Sequence, residues 1–248
     1  GIRLLIGPHR RSNVGRSVTR VIYTAAVPGP TAPNQLNSRD RRNRDERGGR
    51  RPTGAANPEL REAVRRRIPI QTYAQAVGDL TRRFKTVAVA GSHGKSTTTA
   101  LVALILTKGG LDPTVIVGAK LKEFGNSNFR RGRLPRVPRE AGSRGLPRAG
   151  SRGSPYLVLE ADEYCASFLN YSPAVAVITN VDREHLDFYK NAENIEAAFL
   201  AFLSNLRPNG TAILNRDDHR LRRIAKRLRQ ARPDIRLVWF SLRDRTAS

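Results

Sequence analysis

The chain has 248 residues, and its 45 lysines and arginines against 21 acidic residues give a formal net charge of +24 at pH 7. No apolar run approaches the roughly 20 residues that cross a bilayer, so we expect no membrane partner. The single cysteine, Cys165, excludes an internal disulfide and fits a reducing compartment, so we expect a cytoplasmic location. Because the first residue is Gly1 rather than Met, we expect the chain to be a fragment.

Much of the excess positive charge lies in two tracts that are poor in core-forming residues, at 28–56 and 130–155. Segments rich in Arg, Gly, Pro and Ser bury too little apolar surface to offset their conformational entropy, so both are predicted to be disordered insertions. The charge also indicates an alternative function, the binding of nucleic acid by a basic protein. In that case the phosphate-binding loop described below would belong only to the scaffold. Because aromatic residues are not interleaved with the arginines, we expect no specific nucleic-acid partner.

The segments before residue 85 predict part of a first α/β domain. Asn57 as a cap and Pro58 in the first turn are typical of a helix start. The elements predicted in this region are strands over 2–6 and 18–26 and helices over 58–67 and 72–84. We expect one domain over 1–84, with the tract 28–56 inserted into it, and a second over 85–248, with the tract 130–155 inserted.

The segment from residue 86 onward has the order of a phosphate-binding loop. Residues 86–90, rich in β-branched side chains, turn through Gly91 and Gly94 into an apolar helical stretch at 100–106. Glycines let backbone N–H groups approach phosphate oxygens, and a helix N-terminus adds favourable partial charge. The pattern therefore predicts a strand, a loop and a helix that bind a nucleotide phosphate.

Lys95 and Ser96 carry the chemistry of this loop. In such loops the lysine reaches the terminal phosphates, and the hydroxyl that follows holds Mg²⁺. The strict pattern G-x-x-x-x-G-K-[ST] is not met, because Val89 stands where the first glycine belongs. A turn into a buried helix therefore stays open as a purely structural explanation. The chemistry predicts ATP and Mg²⁺ as the bound groups.

Polar residues also follow three later segments that predict strands. They are Glu160 at the end of 156–160, His185 after 174–181 and Asn215 at the end of 211–215. Ligands of open α/β sheets collect where the carboxyl ends of parallel strands meet, so Glu160 and His185 are expected near Ser96. A solvated glutamate, a surface histidine and a turn-forming asparagine are the alternatives.

Two helices and a strand complete the predicted second domain. Asn191 can cap a helix whose apolar residues at helical spacing are expected in the core: Ile195, Phe199, Phe202, Leu203 and Leu206. The arginine-rich helix over 221–230 is expected to present a solvated cationic face, and a strand over 235–240 closes the sheet. The predicted fold class is α/β, with a P-loop-type, mostly parallel sheet flanked by helices.

Four motifs stand in a characteristic order. They are Gly-Ser-His-Gly-Lys-Ser-Thr-Thr-Thr at 91–99, Glu-Ala-Asp-Glu-Tyr at 160–164, Thr-Asn-Val-Asp-Arg-Glu-His-Leu-Asp at 179–187 and Leu-Asn-Arg-Asp-Asp at 214–218. Together they resemble the Mur ligases, the ATP-dependent enzymes that assemble the peptide stem of peptidoglycan. The resemblance implies an incomplete central Mur ligase domain over 85–248, preceded by part of a Rossmann-like UDP-sugar-binding domain.

The same resemblance implies a function. His93 is similar both to the branch that joins L-alanine to UDP-N-acetylmuramate through an acyl phosphate and to the murein-peptide recycling ligase. The segments 167–173 and 179–181 resemble the L-alanine branch more, and the recycling ligase is the alternative. The family's carboxy-terminal domain is not found in this sequence, so we expect these 248 residues to be inactive alone. The oligomeric state is left open.

The resemblance also implies the residues of the site. The residues expected to bind ATP are Gly91, Ser92, His93, Gly94, Lys95, Ser96, Thr97 and Asn215, the last against adenine. Those expected to hold Mg²⁺ are Ser96, Glu160 and His185. The expected catalytic residues are Lys95, Glu160 and His185.

Overall fold

The computed structural model describes residues 10–24, 57–132, 154–184 and 186–243. The chain forms two compact units, Gly1–Ala76 and Val77–Ser248. Several features predicted from the sequence lie outside the described residues: the strand 2–6, the insertion 28–56, residues 133–153 and His185. No helix in the described part of the chain is long and apolar enough to cross a membrane.

In the first unit, β1 (Val21–Tyr23) and β2 (Ile70–Thr72) pair in parallel. Helix α1 (Pro58–Arg65) begins where predicted, and the Asn57 side chain accepts hydrogen bonds from two N–H groups of its first turn. The predicted end at Arg67 is wrong, because Arg67 has a left-handed φ of 55° that an α-helix cannot continue.

The second unit is built on a seven-stranded sheet. Its strands are β3 (Lys85–Ala90), β4 (Thr114–Leu121), β5 (Ser127–Arg130), β6 (Tyr156–Glu160), β7 (Val175–Ile178), β8 (Thr211–Asn215) and β9 (Arg236–Phe240). Their order across the sheet is β5-β4-β6-β3-β7-β8-β9. Neighbours run parallel, except that β4 and β5 are antiparallel. The mostly parallel α/β sheet predicted from the sequence is confirmed.

Helices accompany this sheet: α2 (Tyr73–Arg83), α3 (Lys95–Lys108), α4 (Leu186–Tyr189), α5 (Ala192–Ser204) and α6 (His219–Ala231). The Asn191 side chain accepts a hydrogen bond from the N–H of Asn194, so the predicted cap of α5 is confirmed. All five apolar residues assigned to the core from their spacing around α5 are buried. They anchor α5 and the turn after it to the sheet.

Both described ends of the predicted insertion 130–155 are fixed to the sheet. Arg130 is the last residue of β5. The N–H of Gly132 donates to Thr114 Oγ1 at 3.2 Å, and the N–H of Tyr156 donates to Ser154 Oγ at 3.4 Å. The insertion therefore stays a prediction for residues 133–153, with its flanks held close to the sheet.

The strand order decides where the functional residues lie. Strands β6, β3, β7 and β8 are adjacent and parallel, so their carboxyl ends face the same edge of the sheet. The last residues of these strands are Glu160, Ala90, Ile178 and Asn215. Parallel open sheets bind ligands at this edge, and the phosphate loop lies in the middle of it.

Candidate active site at the phosphate loop

The loop between β3 and α3 depends on two glycines. A Cβ on Gly91 would lie 2.1 Å from Thr179 Oγ1, and the φ of Gly91 is +135°. Gly94 caps α3 with a left-handed φ of 78°. Both conformations suit glycine because a Cβ would clash or strain the backbone. The loop therefore delivers the chain into α3 with its N-terminal N–H groups open to an anion, and the described first turn of α3 contains no acidic side chain.

Residues at the end of β7 hold the loop in place. The N–H of His93 donates to Asn180 Oδ1 at 2.8 Å, and Asn180 Nδ2 donates to the His93 carbonyl at 3.1 Å. The Thr179 hydroxyl donates to the same carbonyl at 2.6 Å, and the N–H of Ser92 donates to the Asn180 carbonyl at 3.1 Å. The Asn180 amide thus holds both sides of one loop residue.

The side chain of Lys95, the predicted phosphate-binding lysine, folds back onto its own loop. Lys95 Nζ donates to the carbonyls of Gly91 and Ser92 at 2.7 and 3.2 Å, and to Glu163 Oε1 at 2.9 Å. The Lys95 side chain is 14% exposed and that of Glu163 is 3% exposed. Burial raises the pKa of the Glu163 carboxyl, and the hydrogen bond from Lys95 opposes that rise. Lys95 of the loop therefore forms a nearly buried ion pair with Glu163, which lies in the segment after β6.

Ser96 and Glu160 meet beside the loop. Ser96 Oγ donates to Glu160 Oε1 at 3.0 Å, and the N–H of Gly118 donates to Glu160 Oε2 at 2.6 Å. A Cβ on Gly118 would lie 2.9 Å from each carboxylate oxygen, so a larger residue at this position in β4 would displace the Glu160 carboxylate. The structure thus brings together two of the three residues expected to hold Mg²⁺.

The chemistry of this pair fits the cation. A hydroxyl and a carboxylate are hard oxygen donors of the kind that Mg²⁺ takes, alongside water and nucleotide phosphates. Within the described ranges, no three His, Cys, Asp or Glu side chains lie close enough to hold a metal ion by themselves. The third expected ligand, His185, lies outside the described residues, and its role stays a prediction.

The remaining loop residues have distinct surroundings. His93 is exposed, with Nδ1 3.4 Å from Glu184 Oε1 and Nε2 3.9 Å from Asp182 Oδ2. Ser92 Oγ accepts a hydrogen bond from the N–H of Asp182 at 2.8 Å. Thr97 is exposed in the first turn of α3. Their predicted contacts with ATP are compatible with these positions and stay predictions.

Asn215 lies at the end of β8, as expected, and its amide contacts the protein backbone. Its Nδ2 donates to the Thr179 carbonyl at 3.0 Å, and its Oδ1 accepts from the N–H of Asp217 at 2.9 Å. A carboxamide has two donor hydrogens and two acceptor positions, so it can accommodate a further partner on each side. The predicted contact with adenine stays a prediction.

Sequence reasoning did not assign a role to Asn180, Glu163 or Gly118. Asn180 and Glu163 lie within the motifs 179–187 and 160–164, but the roles of all three residues depend on which strands are neighbours. Asn180 follows β7, which pairs with β3. Gly118 lies in β4, which pairs with β6. A search for polar residues shortly after strand ends would have drawn attention to Asn180 and Glu163 but not to Gly118, which lies within β4.

A mostly parallel sheet with a glycine loop, a lysine and a hydroxyl–carboxylate pair at its carboxyl edge defines a phosphate-loop α/β protein. The family model described as Mur ligase middle domain matches residues 89–247. The chain therefore belongs to the Mur ligase family.

Curated relatives and a solved structure agree with this assignment. The chain is 38% identical over 187 residues to UDP-N-acetylmuramate–L-alanine ligase of Borreliella afzelii, covering 75% of this chain and 35% of the relative. It is 43% identical over 172 residues to the enzyme of that name from Aquifex aeolicus, covering 69% and 33%. The structure of UDP-N-acetylmuramate-alanine ligase from Thermotoga maritima superimposes with a TM-score of 0.61 at 25% identity, covering 96% of this chain and 41% of that chain. The chain spans about a third of the length of these curated relatives.

The contacts of Asn180 lead to a first testable prediction. Asn180→Ala removes two hydrogen bonds to His93, each contributing about 0.5–1.5 kcal/mol. We expect the backbone amide of His93 to exchange with deuterium about tenfold faster, because 1.4 kcal/mol corresponds to a factor of ten. Asn128→Ala, at an exposed position of edge strand β5, is the matched control. Equal exchange rates at His93 in the Asn180→Ala variant and the wild type would contradict this role.

Proposed function

We propose that this chain supplies the nucleotide-binding part of an ATP-dependent ligase of peptidoglycan precursor synthesis, which joins L-alanine to UDP-N-acetylmuramate. The observation that carries the proposal is the arrangement of Lys95 and the Ser96–Glu160 pair at the N-terminus of α3. The names of the curated relatives support the choice of the two substrates. The single cysteine supports a cytoplasmic site of action.

The proposed reaction requires a phosphate site of this kind. A carboxylate oxygen of UDP-N-acetylmuramate attacks the γ-phosphorus of ATP, and the bond to the ADP oxygen breaks. The amine of L-alanine then attacks the acyl carbon, phosphate leaves, and the amine loses a proton. In the transition state of the first step, negative charge is spread over the oxygens of the transferring group and the leaving ADP oxygen, so fixed positive charge and N–H donors around them lower the barrier.

Different residues of this chain would bind the phosphates, hold Mg²⁺ and fix the conformation of the loop. The N–H groups at the start of α3 and the ammonium of Lys95 would bind the terminal phosphates. Glu160 and Ser96 would hold Mg²⁺, which supplies positive charge beside those phosphates. Asn180 would keep the loop in its binding conformation.

The nucleotide site predicts a loss of affinity when Lys95 is removed. Lys95→Ala is expected to weaken the binding of Mg·ATP by about 1.5–3 kcal/mol, the scale of a charged hydrogen bond. Isothermal titration of the 248-residue chain measures this change. Lys108→Ala, at the exposed far end of α3, is expected to bind like the wild type. Unchanged affinity in a folded Lys95→Ala variant would rule out the phosphate role.

The metal site predicts a loss of dependence on Mg²⁺. In Glu160→Gln the amide oxygen can still accept from Gly118, so the fold should persist while the charged ligand is lost. We expect the gain in ATP affinity produced by Mg²⁺ to fall at least tenfold. Titrations with Mg²⁺ and with a chelator measure the gain, and Glu123→Gln, an exposed carboxylate, is the control. A gain equal to that of the wild type would remove Glu160 from the metal site.

The substrates can be tested in a chimera. Residues 57–243 would replace the matching segment of the Aquifex aeolicus relative, and phosphate release would be followed. We expect release only when ATP, UDP-N-acetylmuramate and L-alanine are all present, and about 100-fold slower release when the chimera carries Lys95→Ala. Release with a murein peptide in place of L-alanine would favour the recycling ligase. Absence of release with either acceptor would contradict the proposed ligase.

A further inference from the structure

The ammonium of Lys95 has three hydrogen-bond donors, and each has an oxygen partner. Two partners are the loop carbonyls of Gly91 and Ser92, and the third is the carboxylate of Glu163. Glu163 lies outside the loop, 68 residues further along the chain, in the segment that follows β6. It is therefore a contact that the phosphate-loop pattern does not predict.

The backbone around Glu163 is held firmly. The Tyr189 hydroxyl donates to the Glu163 carbonyl, and the N–H of Ala166 donates to the same oxygen at 3.0 Å. Cys165 and Ala166, the residues that make this turn, have left-handed φ values of 51° and 54°. Residues other than glycine adopt such values only where the surrounding structure imposes them. The carboxylate is thus presented to Lys95 from a fixed and buried position.

A nucleotide phosphate must take the place of at least one partner of Lys95. The contact with the Ser92 carbonyl is the longest, at 3.2 Å, and its acceptor is neutral. The contact with Glu163 is 2.9 Å long and its acceptor is a carboxylate. The Glu163 side chain is only 3% exposed. A buried carboxylate that loses its cation is strongly destabilised. Lys95 is therefore expected to give up Ser92 and to keep Glu163.

We propose that Glu163 is a positioning residue that fixes the ammonium of Lys95 where it meets the terminal phosphates of the nucleotide. The inference rests on the proposed function, because it assumes that ATP binds at this loop. Glu163 contacts no phosphate itself and acts only through Lys95. That restriction makes the proposal testable.

A double-mutant cycle on the 248-residue chain isolates this action. Isothermal titration would give the Mg·ATP and AMP affinities of the wild type, Glu163→Ala, Lys95→Ala and the double variant. We expect Glu163→Ala to weaken Mg·ATP binding about tenfold, the loss of one charged hydrogen bond, and to leave AMP binding unchanged. In the Lys95→Ala background, Glu163→Ala is expected to cause no further weakening.

Other results would overturn the inference. Equal weakening by Glu163→Ala in both backgrounds, or of AMP and ATP alike, would make Glu163 a structural residue. Tighter ATP binding in Glu163→Ala would make it a competitor of the phosphates. If the wild type binds Mg·ATP normally, any of these results would reject the inference and leave the proposed function standing. A wild-type chain that does not bind Mg·ATP would reject the proposed function and the inference together.

Two further variants test whether a loss of ATP affinity in Glu163→Ala comes from a disturbed fold. Glu163→Gln keeps an acceptor of nearly the same shape, so we expect a smaller loss of ATP affinity that again disappears in the Lys95→Ala background. Asp112→Asn removes the acid of another ion pair, which Asp112 forms with Arg130 at the amino end of β4, away from the phosphate loop. This variant is expected to leave ATP affinity unchanged. A loss in Asp112→Asn equal to that in Glu163→Gln would show a general effect of ion-pair removal and overturn the inference.

Discussion

The close approach of Gly91 to Thr179 is the constraint on which the site depends. Only a residue without a Cβ lets the backbone leaving β3 lie against the end of β7. That approach brings Ser92 and His93 within reach of Asn180, which fixes them by hydrogen bonds. Helix α3 then starts at a fixed place, and Lys95 and Ser96 with it. The geometry of the phosphate site is thus set by the pairing of two neighbouring strands.

The electrostatics of the site follow from the same arrangement. Lys95 and Ser96 are adjacent in sequence, but Lys95 contacts Glu163, after β6, and Ser96 contacts Glu160, the last residue of β6. Glu163 is buried and compensates a charge, whereas Glu160 ends its strand and is also held by the N–H of Gly118. One acid therefore serves the lysine and the other is available to a cation.

The sequence predicted the parts of this structure that depend on local patterns. Asn57 and Asn191 cap helices because their side chains reach N–H groups two or three residues away. The meeting of Ser96 with Glu160 follows from the rule that parallel strands end at one edge. Strand order is not a local property, so the contacts of Glu163 and Asn180 could not be predicted. Edge strand β5 was missed because its short polar stretch has no strand pattern.

The high positive charge has a structural use in the described residues. Arginines cap carbonyl groups where helices and loops end: Arg66 donates to Val14 and Gly15, Arg207 to Thr81 and Phe84, and Arg232 to Ser204 and Leu206. A guanidinium carries five donors, so one side chain can satisfy two carbonyls at once. On α6 the buried side is apolar, and the exposed side carries Arg222, Arg223, Lys226, Arg227 and Arg229. Part of the excess charge therefore serves to complete the backbone hydrogen bonding of the fold, which makes net charge a weak argument for nucleic-acid binding.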